Sequence, residues 1–526
     1  MLQVRRKTTN PLARTYLLKA KKEGIQLSWN QFERMLPQDG FGLLGLTCFE
    51  CLQGPCRINP FRSEESATIC GLTRDDLVFN GLFCQVSKNN ELVDTTKVLL
   101  ERFFSRISRA EVNRETLQTM AAKWRVTGEP ESGSGWLARA WELITPSKPF
   151  ADDLIEHSSE RLSSLLTAAN NQVALMAFNA DLLELLNEKV GVQKREVGLG
   201  ALRLDCVNIC LEGVSPAVLD LAEEVATELS EEANRVGASN NYNLLLVGDF
   251  SSYHKYAAVC NRGAAEFALL TGMVDLYLVG SGNMSRGRNF AGQYHTVLAE
   301  CTADCSKEAL RKLFQQAAKV SQERDLNTVE ASVALEQVNV GYVFAAAPIQ
   351  EAIAKEIING LCIIAGGSNV RVTAEEAAVK IVEATSSQDI LCLTYGNAAV
   401  TLGQYGYLAF GEQSGSDLKA CALALEAKPV AYCLGGELAA TVAVELVREI
   451  SEFKVVVVFP EMMDASDLQA ALAFAAAGAT VLTGSKLPVD GSETLCHELG
   501  NKIQYCEPQK LAGKVLEILV GDQALI

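Results

Sequence analysis

The sequence is poor in long apolar runs and in positive charge. No run approaches the roughly 20 apolar residues that a membrane helix needs, so we expect no membrane segment. The N-terminal MLQVRRKTTNPLAR lacks the apolar centre of a signal peptide, and we expect a cytoplasmic protein. The chain has 47 Lys and Arg against 64 Asp and Glu, so its net negative charge would repel a phosphate backbone. We therefore expect no nucleic-acid partner.

What the chain does have is length, apolar residues and cysteine. Its 526 residues suffice for roughly three domains, and 48% hydrophobic residues supply a core for each. Sixteen cysteines in a long chain without an export signal indicate metal ligands and buried thiols rather than disulfides.

The pattern of apolar residues predicts an α/β multidomain protein. Residues 1–200 are rich in helix formers, interrupted by a cysteine loop, and we predict a helical domain there, with a turn or short linker at 125–136. Short apolar runs then alternate with helical segments, which predicts two doubly wound, Rossmann-like parallel-sheet domains at 201–369 and 370–526. In such sheets the functional groups gather after the carboxyl ends of the strands.

Four cysteines near the N-terminus have the spacing of a metal-cluster loop. Cys48, Cys51, Cys56 and Cys70 are separated by 2, 4 and 13 residues, with Gly and Pro between Cys51 and Cys56. Such close thiolates with one distant ligand are typical of iron–sulfur clusters. Structural zinc is the alternative, but it favours two CxxC pairs, which this spacing does not match. The loop predicts one [4Fe-4S] cluster, and Arg57 could balance its negative charge.

The residues that flank this loop resemble those of a known family. PQDGFGLLGLTCFECLQGPCRINPF resembles the cluster loop of the anaerobic nickel-iron carbon monoxide dehydrogenases, which are related to the hybrid-cluster proteins. The resemblance continues through KKEGIQLSWNQFERMLPQ, EFALLTGMVDLYLV and VVVVFPEMMDASDLQAALAFAAAGATVLTG, over most of the chain. It implies an oxidoreductase scaffold with the same order of helical and α/β domains, and it assigns the four cysteines to a cubane.

The resemblance also implies features that this chain lacks. Family members are typically homodimers with a further cluster across the dimer axis, and its ligand positions correspond here to Asp39 and Thr47. Their catalytic nickel cluster needs a His and a set of Cys at strand ends. The corresponding places hold no such ligand and contain Glu212, Asp249, Asn283, Ala345–Ala347, Asn397 and Glu437. The family's histidine-rich stretch is missing too, since the first of only four histidines is His157. The family's lysine after the Pro460–Glu461 turn is replaced by Met462, Met463, Asp464 and Ser466.

Other residues allow a second metal site and a polar cavity to be considered. A second iron or zinc site is possible from one set of thiols and one imidazole: Cys206, Cys210, Cys260, Cys301, Cys305 and His295. Asp249, Asn283, Asn397 and Glu437 predict a polar cavity for a small ligand, a hard cation or water. Cys84 in GLFCQV is either a buried thiol or a neighbour of the cluster.

Three functions follow. The first is an electron-transfer or complex subunit that keeps one cubane, has no nickel and serves a ferredoxin-like or larger redox partner as a homodimer or hetero-oligomer. The second is an oxidoreductase in which Glu437 and Asp249 hold an iron-oxo or other cofactor that reduces a small substrate. The third is a true carbon monoxide dehydrogenase with displaced ligands.

Overall fold

The computed structural model describes most of the chain. The described residues are 7–10, 13–61, 67–88, 90–108, 114–126, 135–136, 138–139, 159–186, 191–235, 241–251, 253–280, 285–290, 294–327, 329, 332, 334–408, 431–450 and 452–521. Asn283, His157 and most of the predicted linker at 125–136 lie outside these residues.

The N-terminal part is helical, as predicted, around a small cysteine hairpin. Its helices are α1 (Ala13–Glu23), α2 (Ser28–Arg34), α3 (Gly40–Leu43), α4 (Arg74–Val86), α5 (Asn90–Ser108), α6 (Arg114–Lys123) and α7 (Glu160–Leu186). Strands β1 (Thr47–Cys48) and β2 (Cys56–Arg57) pair antiparallel between α3 and α4. Helix α7 is buried along most of its length because α5 packs on one part of it and a C-terminal helix on another.

Strands and helices alternate through the rest of the chain. The strands are β3 (Gln193–Val197), β4 (Cys206–Glu212), β5 (Asn241–Val247), β6 (Ala257–Cys260), β7 (Leu276–Gly280), β8 (Val297–Cys301), β9 (Glu336–Val340), β10 (Gly360–Ile364), β11 (Ile390–Thr394), β12 (Tyr432–Cys433), β13 (Val455–Phe459), β14 (Thr480–Thr483) and β15 (Ile503–Tyr505). The helices are α8 (Pro216–Arg235), α9 (Ala265–Leu270), α10 (Lys307–Val320), α11 (Ala346–Ala354), α12 (Glu376–Ser386), α13 (Gly396–Gln404), α14 (Ala440–Glu449), α15 (Ala465–Ala476), α16 (Glu493–Gly500) and α17 (Leu511–Leu519).

These 13 strands form one sheet in the order β15-β14-β13-β10-β11-β12-β9-β3-β6-β5-β4-β7-β8. Every neighbouring pair is parallel except β3 and β9, which pair antiparallel and join the two halves. Non-edge strands such as β7 and β13 are buried at every residue because helices cover both faces, as continuous apolar runs require. The predicted α/β class is confirmed. The sequence reasoning did not anticipate that the strands share one sheet.

The partition into domains stays a prediction, but the sheet shows how the strands group. β10 comes from the run LCIIAGG, which precedes residue 370, and it lies between β11 and β13 of the later series. β9 pairs with β12 as well as with β3. No helix among the described residues is long and apolar enough to cross a membrane.

Candidate functional site

The cysteine loop folds as a short hairpin against α4. Cys48 and Cys56 face each other across β1 and β2, and both are buried, at 7% and 8% exposure. Cys51, in the turn between the strands, and Cys70 are exposed. The hairpin therefore offers two thiols from its buried side and one from its tip, a donor set that suits an iron–sulfur cluster.

The segment that carries Cys70 is anchored beside this hairpin. Arg74, at the start of α4, donates to the carbonyl oxygen of Asn59 at 2.7 Å, so the chain after Cys56 meets the chain after Cys70. Thr68 holds the turn around Cys70 through a 3.3 Å contact between its hydroxyl and the cysteine sulfur, and this contact lowers the pKa of the Cys70 thiol. The segment that follows Cys56 and the segment that follows Cys70 are therefore in contact.

Within the described part of the chain, no three His, Cys, Asp or Glu side chains lie close enough to share one metal ion. A cubane differs from a single ion because its four thiolates bind four different irons and stand further apart.

Cys84 lies beside the loop rather than in a helix core. It is exposed on α4, and its sulfur lies 3.8 Å from a carboxylate oxygen of Glu50. Burial and the nearby Glu50 carboxylate raise the pKa of the Cys84 thiol. Of the two interpretations open from the sequence, the structure supports the position next to the cluster loop.

The two positions that the resemblance assigns to a bridging cluster have other roles. Asp39 caps α3, since its carboxylate accepts from the backbone N–H of Gly42 at 3.0 Å. Thr47 lies on β1 opposite Arg57. A capping carboxylate and a threonine hydroxyl are both poor iron–sulfur ligands.

Large apolar side chains surround the loop and face solvent. Leu52 and Phe61 are exposed at 105% and 95%, and Phe49 and Ile69 are exposed as well. Large exposed apolar groups gathered in one region mark an interaction surface more often than chance exposure does.

At the carboxyl ends of the main strands, a buried arginine is the central group. Arg262 follows β6 and is 4% exposed. Its guanidinium donates to the carboxylate of Glu437, after β12, and at 3.1 Å to Asp464, after β13. Burial opposes the charge on Arg262, but the carboxylates of Glu437 and Asp464 outweigh it and raise the arginine pKa. The ion pairs connect the two halves of the sheet.

Asn397 and Asp249 hold the turns around this arginine. The amide oxygen of Asn397 accepts from the backbone N–H of Arg262 at 2.7 Å. Asp249 accepts from the backbone N–H of Glu437 at 2.8 Å and from that of Phe250 at 2.9 Å. Of the polar residues predicted at strand ends, the structure therefore brings Asp249, Asn397 and Glu437 together.

The acids near Arg262 are strongly perturbed. Burial, followed by repulsion from Glu437, raises the pKa of Asp249 well above its usual value. Burial and repulsion from Asp464 raise the pKa of Asp467 to about 8. Burial therefore favours the neutral form of both carboxyl groups, whereas Glu437 and Asp464 pair with Arg262.

Of two further strand-end positions, one is a buried carboxylate close enough to Arg262 for the arginine charge to act on it. Glu212 ends β4 and is fully buried, with one carboxylate oxygen accepting from Tyr277 at 2.6 Å and from Ser285. Burial raises its pKa. Ala346 opens α11 and offers no polar group.

A cavity of about 930 Å³ opens on the Arg262 cluster. Asp249, Glu437 and Asp464 lie in its wall on the sheet side, and Met176 and Asn179 of α7 face them from the helical layer. The predicted polar cavity is thus present, with a charged wall and a largely apolar remainder.

A histidine network fixes the turn that ends at this wall. The Nδ1 of His254 lies 2.9 Å from the Ser251 hydroxyl, and its Nε2 donates to a carboxylate oxygen of Asp220 on α8 at 2.8 Å. Arg102 of α5 donates to the other oxygen of Asp220 at 2.7 Å. Ser251 lines the cavity but accepts from two backbone amides as well, so its hydroxyl acts to shape the turn.

The second metal site considered from the sequence is not assembled. Cys210 and Cys260 pack in the core on one face of the sheet. Cys301 and Cys305 pack against the helices on the opposite face, and the His295 ring pairs with Asp275 at 3.0 Å. Cys206 contacts the adjacent Asp205. A strand's alternating side chains separate these thiols across the sheet.

Comparison with known proteins agrees with this architecture. The chain is 24% identical to carbon monoxide dehydrogenase 1 of Methanosarcina mazei over 98% of this chain and 97% of that protein. The chain is a divergent relative of the carbon monoxide dehydrogenases. It is also 25% identical to carbon monoxide dehydrogenase 2 of Carboxydothermus hydrogenoformans over 80% of this chain and 79% of that one. No family model matches.

The carbon monoxide dehydrogenase fold extends over the whole chain. Carbon monoxide dehydrogenase IV of Carboxydothermus hydrogenoformans superposes with a TM-score of 0.81 at 21% identity, covering 99% of each chain. A nickel-free carbon monoxide dehydrogenase from Thermococcus sp. AM4 superposes with a TM-score of 0.83 at 19% identity, covering 98% of this chain and 96% of that one. The resemblance stated from the sequence is confirmed.

Sequence reasoning missed Arg262, the group that organises the strand ends. Its signal was present, because Asn261-Arg262-Gly263 directly follows the strand AAVC, where the strand-end rule directs attention. It also missed the pairing of Ser251 with His254 and Asp220, which depends on the packing of α8.

Proposed function

We propose that this chain binds one [4Fe-4S] cluster through Cys48, Cys51, Cys56 and Cys70 and exchanges single electrons with a partner protein, without nickel-dependent oxidation of carbon monoxide. Such a cluster would supply reversible one-electron transfer. The chain's own part is to hold the thiols, with two of them buried against α4 and two near solvent.

One observation carries the proposal: Arg262 lies between Glu437 and Asp464 at the strand ends, where the resemblance places a nickel cluster. A guanidinium that is already paired with carboxylates repels cationic metals and offers no thiolate. This ion pair at the strand ends, together with the four cysteines kept in the loop, supports an electron carrier without nickel chemistry.

The exposed apolar residues around the loop support a partner at this surface. Phe49, Leu52, Phe61 and Ile69 flank the exposed Cys51 and Cys70, so a protein bound there would approach the cluster closely. We infer a ferredoxin-like protein or a larger complex as this partner. A homodimer or hetero-oligomer is the expected assembly, in the cytoplasm.

The iron-oxo alternative is less well supported. It needs Glu437 and Asp249 as free oxygen ligands, but Glu437 pairs with Arg262 and Asp249 accepts two backbone N–H groups. A true carbon monoxide dehydrogenase with displaced ligands needs a thiol-rich cavity, and the described residues lining this one include no cysteine.

The test is metal analysis on protein purified without oxygen. We expect about four irons and four sulfides per chain, the composition of one cubane, with no nickel, one cubane signal in the reduced state and no carbon monoxide oxidation after incubation with nickel. Bound nickel with carbon monoxide oxidation would establish the displaced-ligand enzyme. Iron in excess of one cubane that disappears in Glu437→Ala would establish the iron-oxo enzyme.

A further inference from the structure

A side-chain hydroxyl lies beside the sulfur of Cys70. The Oγ1 of Thr68 is 3.3 Å from the Sγ of Cys70. A neutral thiol can donate or accept in such a contact, but a cysteine that binds iron has lost its proton, so its sulfur can only accept. Once Cys70 serves as a ligand, the Thr68 hydroxyl is therefore the donor.

The other contact of this hydroxyl leaves its proton available. The Oγ1 of Thr68 accepts from the backbone N–H of Leu72 at 2.9 Å. A threonine hydroxyl has one proton to donate and two lone pairs with which to accept. The contact with Leu72 uses a lone pair, and the proton can point at the Cys70 sulfur.

The turn from Thr68 to Leu72 holds this geometry. The backbone N–H of Thr68 donates to the carbonyl oxygen of Leu72 at 3.0 Å, and the N–H of Gly71 donates to the carbonyl oxygen of Thr68 at 2.9 Å. Gly71 has a φ of 89°, which glycine adopts readily. Thr68 is buried, at 8% exposure, although Cys70 is exposed. The turn therefore fixes the hydroxyl before any cluster binds.

The chain that leaves this turn enters a well-anchored helix. Thr73 caps α4, since its hydroxyl accepts from the backbone N–H of Asp76 and donates to the Asp76 carboxylate at 2.6 Å. Arg74 fastens the same helix start to the carbonyl oxygen of Asn59. The turn is thus attached to a rigid element, as a preorganised hydrogen-bond donor requires.

A hydrogen bond to a ligand sulfur changes the redox balance of a cluster. Reduction adds one negative charge, and a hydrogen bond is stronger when its acceptor is more negative. A donor at the sulfur therefore stabilises the reduced state more than the oxidised state. Hydrogen bonds to the sulfurs are among the factors that set the reduction potential of an iron–sulfur cluster.

We infer that Thr68 is a positioning residue for the cluster: its hydroxyl donates to the Cys70 sulfur and raises the reduction potential. This inference rests on the proposed function, because it needs a cubane on the four cysteines. It adds a residue outside the ligand set that controls how readily the cluster accepts an electron.

The experiment compares Thr68→Val with Thr68→Ser in the full chain, purified without oxygen. Valine has nearly the shape of threonine but lacks the hydroxyl, and serine restores it. In a redox titration followed by electron paramagnetic resonance, we expect Thr68→Val to shift the potential to more negative values. The ratio of reduced to oxidised protein at a fixed potential should fall about tenfold, which equals 59 mV for one electron.

Two further readouts separate this role from a structural one. The iron–sulfur stretching frequencies in resonance Raman spectra should change in Thr68→Val and return in Thr68→Ser. Thr73→Val is the matched control, because it removes a hydroxyl from the same part of the chain, one that bonds Asp76 rather than a sulfur. It should lower the melting temperature and leave the potential unchanged.

Thr68→Ala is a second route to the same test if Thr68→Val does not hold its cubane, since it removes the hydroxyl without placing a methyl group beside the sulfur. A cubane that is lost in both variants but kept in Thr68→Ser would assign Thr68 to loop assembly and overturn the inference. A cubane in the unchanged protein whose potential is the same in Thr68→Val would overturn this inference alone. Unchanged protein without a cubane would overturn the proposed function as well.

Discussion

Arg262 and Asp464 are 202 positions apart in the sequence, yet a guanidinium nitrogen of one lies 3.1 Å from a carboxylate oxygen of the other. The contact spans the turn after β6 and the start of α15, and with Glu437 it joins the two halves of the sheet. Four predictions follow from this cluster and from the cysteine loop.

Removing the arginine should destabilise the protein strongly. Arg262→Leu leaves Asp464 and the more exposed Glu437 without their cation. Breaking a fully buried pair costs about 3–5 kcal/mol, and we expect a loss at the lower end of this range because solvent reaches Glu437. Guanidinium chloride unfolding followed by circular dichroism measures the loss. Arg288→Leu is the control, because Arg288 and Glu300 form an exposed pair for which the expected cost is about 1 kcal/mol or less. Equal losses in the two variants would contradict a structural role for the cluster.

The turn after β12 should tolerate no side chain at Gly436. A Cβ there would lie 2.0 Å from the carbonyl oxygen of Phe250 and 2.6 Å from a carboxylate oxygen of Asp249. Gly436→Ala must displace the Asp249 turn, and such overpacking costs about 1–3 kcal/mol. Gly513→Ala, on α17 with no atom near its Cβ, should instead stabilise by up to about 1 kcal/mol. Differential scanning calorimetry compares the two, and similar melting temperatures would refute the prediction.

Stability should fall as the pH rises through neutrality. The pKa of Asp467 is about 8 in the folded protein, against about 3.9 when unfolded. The native state therefore holds a proton that the unfolded chain has lost, so the free energy of unfolding decreases from about pH 4 to about pH 8. Glu461, whose pKa burial raises to about 7, adds to the same trend.

The isosteric change Asp467→Asn isolates this effect. Asn keeps an oxygen to accept from the backbone N–H groups of Gly367 and Met463, but it cannot titrate. The slope of unfolding free energy against pH should become shallower in this variant, as measured by chemical unfolding at several pH values. Asp94→Asn, at an exposed position on α5, is the control and should retain the full slope. An unchanged slope in Asp467→Asn would exclude Asp467 as its source.

Replacing a ligand cysteine should remove iron from the protein, whereas replacing the neighbouring Cys84 should not. Cys51→Ala removes a predicted thiolate at the tip of the hairpin, and we expect loss of the cubane signal and most of the iron. Cys84 lies beside the loop, 3.8 Å from Glu50, but is outside the ligand set. Cys84→Ala should therefore keep the cubane signal and the iron. Iron and sulfide analysis of the two variants is the measurement. Full iron content in Cys51→Ala would remove Cys51 from the ligand set.

The sequence alone determined the parts that are local. The spacing of Cys48, Cys51 and Cys56 lies within one hairpin, so its pattern is readable before the fold is known. Runs such as VVVVF are buried strands because parallel strands covered on both faces need continuous apolar residues. Asp249, Asn397 and Glu437 came from the family resemblance, which places catalytic ligands at the corresponding strand ends.

The tertiary structure decided everything that depends on partners distant in sequence. Whether Cys210 and Cys301 meet depends on the face of the sheet to which each belongs, and they lie on opposite faces. The antiparallel pairing of β3 with β9, which makes one sheet of two series, is set by packing between chain segments about 140 residues apart. Arg262 looks like an ordinary polar residue in the sequence. Only the fold places Glu437 and Asp464, from the turns after two other strands, beside it. A buried guanidinium needs such partners because an unpaired buried charge is strongly destabilising.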